Sequence, residues 1–176
     1  MAKPTEICWV DVETSGFDPS MQELLSVACI NENGDELMLL VKPEFLETAN
    51  QESLKIAGYV PEVWERTGVT KAEAARQVLE FTKGKVLAGH FVSFDLGFLT
   101  ALLMGAGYKP LWQRRSLDTV PFALALVQAG RAPAPSSSSA TSVQGLRREA
   151  LPRPRRPAAA GRKSPSRAPA QRAGHP

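Results

Sequence analysis

The stretch Asp11-Val12-Glu13-Thr14-Ser15-Gly16 closes the apolar run Ile7-Cys8-Trp9-Val10 and ends in a turn signal at Ser15-Gly16. Read outward, it is a buried strand that finishes in two acids. Successive strand side chains alternate faces, so Asp11 and Glu13 share one side, with Cys8, Val10 and Val12 on the other. Two carboxylates this close repel each other unless a cation lies between them. The simplest cation is a hard divalent metal, because Mg²⁺ takes oxygen ligands and binds through one or two carboxylates plus substrate phosphate. A solvated strand end running into a glycine turn is the plain alternative, and a bare Asp-x-Glu matches by chance too often to decide.

A second stretch decides it. Leu87-Ala88-Gly89-His90-Phe91-Val92-Ser93-Phe94-Asp95-Leu96-Gly97-Phe98-Leu99 begins as a short strand, Lys85 to Gly89. From Phe94 it turns helical, with Leu96, Leu99, Leu102 and Leu103 at helical spacing. Asp95 then falls in the first turn of that helix. An acid there also stabilises a helix through its macrodipole, by roughly 0.3–1 kcal/mol, without any chemistry.

The two stretches together resemble the first two motifs of the DEDD 3′–5′ exonucleases, in particular proteins like the proofreading epsilon subunit of bacterial DNA polymerase III. Ser116-Leu117-Asp118-Thr119-Val120 resembles the Leu-Asp-Thr segment that these proteins carry after the second motif, and the likeness spans Ile7 to about Gln128. The resemblance implies an α/β, ribonuclease-H-like mixed sheet. It also implies two bound Mg²⁺ or Mn²⁺ ions and hydrolysis of the 3′-terminal phosphodiester to nucleoside 5′-monophosphates. By position, Asp11 and Glu13 match the first-motif carboxylates and Asp95 the second-motif aspartate, as catalytic and metal-binding residues. Thr14, Gly16, His90 and Phe94 fall where the substrate would be held. The implied partner is the single-stranded 3′ end of DNA or RNA, with a DNA polymerase as a candidate protein partner. One departure is visible: Phe91 stands directly after the second-motif His, where the family usually has Asn.

The chemistry can be stated without the family. Phosphodiester hydrolysis needs charge stabilised on the attacking and leaving oxygens, and two metals roughly 3.5–4 Å apart clamp both. Holding them takes several carboxylates, and a base for the attacking water adds about 10²–10⁴-fold. Asp11, Glu13 and Asp95 supply three acids. In the His-containing branch of the family the fourth acid and the base come from one third motif, His-x4-Asp. That motif is missing here: after Asp118 the only acid is Glu149, and the only later His is His175. Asp118 could stand in as the fourth ligand but reads rather as structural, and His90 as a site-wall or capping residue.

The composition divides the chain in two. Residues 1–130 carry 11 Lys and Arg against 17 Asp and Glu; residues 131–176 carry 10 against one. The basic pI, about 9.0, therefore belongs to the tail, and the body is acidic. No apolar run approaches a membrane span, and the first residues lack the apolar core of a signal peptide, so no membrane partner and a cytoplasmic address are expected. Cys8 and Cys29 read as reduced core thiols.

The elements follow. Leu24 to Ile30 is a second strand, Asn33-Gly34 a hairpin turn, and Glu36 to Val41 a third strand, giving an antiparallel three-stranded meander. From Asn50 to Thr82 the pattern is helical and broken by Gly58, Pro61 and Gly68, with Ala72, Ala75, Val78, Leu79 and Thr82 along one face. After the helix from Phe94 to Met104 come a short strand near Trp112 to Ser116 and a helix from Thr119 to Gln128. Helices packed on a mixed sheet are the expected architecture.

Residues 1–130 are thus expected to form an exonuclease domain that is incomplete at its C-terminal side. Residues 131–176 are a basic Pro/Ala/Arg/Ser-rich tail, expected from composition to be disordered, since 37 of its 46 residues are Ala, Pro, Arg, Ser or Gly. One reading of the tail is an arm for phosphate backbone. Another is a shifted reading frame, because GC-rich DNA read out of frame yields this composition. Degenerate codons for Arg148 to Pro157 permit Lys-His-Tyr-Arg-Ala-Leu-Ala-Asp in the shifted frame, which resembles the third motif with Tyr at the expected His position. Three functions remain: a working exonuclease, an impaired member that binds 3′ ends without efficient turnover, and a polymerase-associated scaffold.

Overall fold

The structure, a computed structural model, describes residues 6–132. Expectations for the tail beyond Ala132, the reading frame included, lie outside the described residues. Five strands form one sheet in the order β3-β2-β1-β4-β5. They are β1 (Ile7–Thr14), β2 (Leu24–Asn31), β3 (Glu36–Leu40), β4 (Val86–Gly89) and β5 (Ser116–Asp118). The first three pair antiparallel as the expected meander, and β4 and β5 add in parallel beside β1. The sheet is therefore mixed. The α/β layering follows from the long connections a parallel neighbour requires, here filled by α1 (Gln51–Ala57), α2 (Pro61–Thr67), α3 (Lys71–Thr82) and α4 (Val92–Gly105).

The core lies between one face of the sheet and two helices. Cys8, Val10 and Val12 of β1, Val27 and Cys29 of β2 and Leu87 of β4 meet Ala74, Ala75 and Val78 of α3 and Phe98, Leu99 and Leu103 of α4. The face of α3 differs from expectation by one position: Ala74 is buried and Ala72 is exposed. The helix starts at Lys71 with Thr70 as its N-cap, and that phase turns Ala74, Ala75, Val78 and Thr82 inward. Cys8 and Cys29 are free and buried, as expected. Burial and the mutual thiol contact push the Cys29 thiol well above its ordinary value, the contact with Cys8 being the larger cause.

The other face of the sheet is less covered. Direct strand partners share a face, so Trp9, paired with Ile30 and Ala88, stands in one row with Leu117, the partner of Ala88. Trp9, Ile30 and Leu117 are all exposed, as is Met38, which stands beside Ala28 and Asp11 in the next row. The last helix, α5 (Thr119–Gln128), coincides with its expected bounds yet buries none of its residues. The last strand lies further along than expected, at Ser116–Asp118. Its apolar content, Leu117 alone, was too short a signal to fix its bounds.

Candidate active site

Asp11 and Glu13 lie on the less covered face of β1, while Val10, Val12 and Thr14 are buried on the other, as alternation requires. At the end of β1 the register slips: Glu13 pairs with Ser26 and Thr14 with Leu24, which leaves Leu25 as an extra residue on β2. Bulges of this kind re-aim side chains and recur beside active sites. The Leu25 carbonyl is held from outside the ladder, accepting the Val41 N–H at 2.8 Å and the Trp64 indole N–H at 2.8 Å.

The turn after the acids is rigid. Thr14 Oγ1 donates to the Gly16 carbonyl at 2.6 Å, and Ser15 exchanges two bonds with Glu23, its N–H donating and its hydroxyl accepting, both at 2.8 Å. Gly16 leaves room for the Gln22 side chain: a Cβ there would lie 2.5 Å from Gln22 Cγ and displace it. Glu23, a buried carboxylate that the sequence reading passed over, accepts the Glu44 N–H at 2.7 Å and pairs with Lys71. Thr14 and Gly16 therefore shape the loop, and Phe17, the next residue, is left exposed at 66%.

Asp95 arrives from α4. It lies in the first turn, as expected, and is fully buried. Its Oδ1 accepts the Val12 N–H at 3.0 Å, between Asp11 and Glu13 in sequence and past the point where β4 still pairs with β1. Burying a carboxylate is expensive unless hydrogen bonds compensate, so Asp95 is no ordinary first-turn acid on a solvated helix end.

The β4–α4 turn that carries Asp95 is fixed from β5. Asp118 accepts the Phe91 N–H at 3.1 Å, the Val92 N–H at 3.0 Å and, as N-cap of α5, the Val120 N–H at 2.9 Å. Burial alone would raise the Asp118 carboxyl, but these three N–H bonds and nearby His90 outweigh it and hold it below its usual value. Asp118 is thus a clamp on two helix starts, in line with its structural reading. His90 Nδ1 lies 2.9 Å from Thr119 Oγ1, which places His90 beside the clamp. Phe94 is half-buried and packs on Phe98, with ring centroids 5.1 Å apart.

Asp11, Glu13, Asp95 and His90 therefore come to one end of the sheet from three elements. The carboxylate oxygens of Asp11, Glu13 and Asp95 suit a hard divalent cation. The geometry does not close around one as it stands: among the described residues no three His, Cys, Asp or Glu side chains are grouped to hold a metal ion. A cavity of about 340 Å³ lies elsewhere, lined by Glu23, Lys71, Phe98 and Leu102, and none of the three motif acids reaches it. No helix among the described residues is long and apolar enough to cross a membrane.

A family model described as Exonuclease matches residues 8–150. Among solved structures, E. coli Exonuclease I in complex with a dT13 oligonucleotide is 19% identical with a TM-score of 0.62, the alignment covering 70% of this chain and 30% of that one. Exonuclease I from Methylocaldum szegediense is 24% identical at a TM-score of 0.62, covering 71% and 30%. The zinc-bound form of an E. coli ExoI–ssDNA complex is 19% identical at 0.63, again covering 71% and 30%. This chain spans about 30% of the length of these proteins, and at such identities the likeness establishes the fold.

Proposed function

The chain belongs to the DEDD 3′–5′ exonuclease family, and on that premise we propose that it acts on the 3′ end of single-stranded nucleic acid. The terminal phosphodiester is hydrolysed and a nucleoside 5′-monophosphate released. The observation that carries this reading is the delivery of the fully buried Asp95 to the backbone of β1 between Asp11 and Glu13. Two Mg²⁺ or Mn²⁺ ions would be the cofactors, and when bound they would supply charge stabilisation for the attacking and leaving oxygens. Asp11, Glu13 and Asp95 are the acids that would hold them. The stitched turn from Thr14 to Gly16 sets the approach of the strand, and His90, braced on Thr119, and Phe94 wall the site. DNA is the favoured substrate because Exonuclease I, which shares the fold, is seen with a dT13 oligonucleotide. A DNA polymerase as protein partner and a cytoplasmic address complete the proposal.

The test is release of mononucleotide from a 3′-labelled oligonucleotide. Activity is expected to require Mg²⁺ or Mn²⁺, to stop on chelation, and to fall by at least about 100-fold in Asp11→Ala. Metal-independent release, or an undiminished Asp11→Ala variant, overturns the reading.

A second reading has specific support. Beyond Asp95 the described residues hold one further acid, Asp118, and its oxygens already serve three N–H groups. Among the described residues the acids do not close into a metal cluster, and α5 buries none of its residues. These features favour a member that binds 3′ ends with impaired turnover. The missing third-motif His and Asp then mark either a change of reading frame near Gly130 or a protein retained for binding. Strong end binding with turnover at background separates this reading from the first.

A further inference from the structure

The turn between β4 and α4 holds the one positive φ outside glycine among the described residues. Phe91 sits at φ 58° and ψ 47°, in the left-handed region. Gly and Asn adopt that region readily, whereas for a bulky side chain it is an outlier. The turn itself demands the conformation, since Asp118 holds the N–H groups of both Phe91 and Val92. What the turn does not demand is an aromatic ring. The ring is 58% exposed, so the fold recovers little burial to offset the strain. A smaller residue would make the same turn at lower cost. Strain that packing does not repay clusters where a protein meets a ligand. Phe91 follows His90 directly, precedes the fully buried Asp95 by four residues, and stands at the end of the sheet where Asp11 and Glu13 lie.

We propose that Phe91 is a base-stacking platform, taking the face of a nucleobase near the 3′ end of a bound single strand. The proposal rests on the reading of this site as one for single-stranded 3′ ends. Stacking suits that task because every base has a π-face, so the contact adds affinity without selecting sequence. An end-trimming site must accept whichever base comes next.

The test uses the full chain, Mg²⁺ and a fluorescent single-stranded oligonucleotide whose last linkages are cleavage-resistant phosphorothioates. Phe91→Asn and Phe91→Trp are compared with the wild type on this probe and on one with abasic 3′-terminal nucleotides. Phe91→Asn is expected to melt at or above the wild-type temperature and to bind at least about fivefold more weakly, while Phe91→Trp keeps wild-type affinity. The abasic probe is expected to lose affinity for the wild type and to lose none further with Phe91→Asn. Phe91→Asn binding as tightly as wild type overturns the platform while leaving the nuclease reading intact. A lower melting temperature for Phe91→Asn also overturns it, since the ring is then a packing element. If the wild type binds no single-stranded end at all, the functional reading falls and the platform with it.

Discussion

α4 and α5 are two apolar helices that each follow a parallel strand, yet they have opposite surroundings. α4 buries Val92, Asp95, Phe98, Leu99, Leu102 and Leu103 between the sheet and α3. α5 buries nothing, and its Phe122, Leu124 and Leu126 are exposed at 64%, 53% and 45%. The difference is one of partners, since both sequences read as helix and, Asp95 apart, neither carries a charged residue. A helix that is apolar all round is stable only when covered, and a ten-residue helix on its own is marginal in water. The covered side of the sheet therefore provides the stability of this domain, while the side that bears Asp11 and Glu13 remains open. A nuclease needs that side accessible to a strand, but not as bare as the Trp9–Ile30–Leu117 row makes it.

The sharpest break in the comparison is Phe98→Ala. Phe98 is 2% exposed, belongs to the core, and packs against the tilted ring of Phe94. Removing it is expected to destabilise by about 3–5 kcal/mol, which approaches the whole stability of an ordinary domain. Urea unfolding followed by far-UV circular dichroism measures the loss. A change under about 1 kcal/mol means that α4 is as loosely held as α5.

Asp118 joins the two helices, so its removal is the intermediate case. Asp118→Ala leaves three N–H groups at the starts of α4 and α5 without their acceptor and is expected to cost about 1–2 kcal/mol. The sign of its pH dependence follows from a carboxyl whose folded-state pKa is depressed. Its contribution is fully present above the unfolded value, about pH 4, and is lost as the pH falls through the lower folded value. The difference in melting temperature between wild type and Asp118→Ala should therefore be constant from pH 7 to 5 and shrink below about pH 4. A difference that grows on acidification contradicts the clamp.

Most of this architecture could be read in the residues themselves. The alternation from Cys8 to Glu13, the Asn33-Gly34 turn and the leucine spacing after Asp95 are local signals, and each element they predict is present. The three motif acids could be read because they interrupt apolar runs at strand and helix ends. Asp118 could be read only as structural: its bond to the Val120 N–H is local, but the Phe91 and Val92 N–H groups at the start of α4 lie 27 and 26 residues away and reach it only once β5 has paired with β4. The Glu23–Lys71 pair was invisible for the same reason: 48 residues separate its partners. The phase of α3 was misjudged by one alanine because Ala72, Ala74 and Ala75 are chemically alike, and the N-cap at Thr70 settles which of them faces inward. Nor could spacing show that α5 would lack cover, because periodicity reports a helix and its apolar face but not what stands opposite.

Phe122→Ala carries the smallest expected effect and sharpens the comparison most directly. Phe122 and Phe98 share a side chain and a helical setting, so the two alanine substitutions differ only in what surrounds the ring. At 64% exposure, Phe122 gives up little burial on truncation, and the cost is expected within about 0.5 kcal/mol. The same denaturant titration reads it, beside Phe98→Ala. A loss of more than about 1.5 kcal/mol would mean that Phe122 is covered in solution, so that α5 has a packing partner after all. In that case the impaired reading of the site would lose the support it draws from an unburied α5.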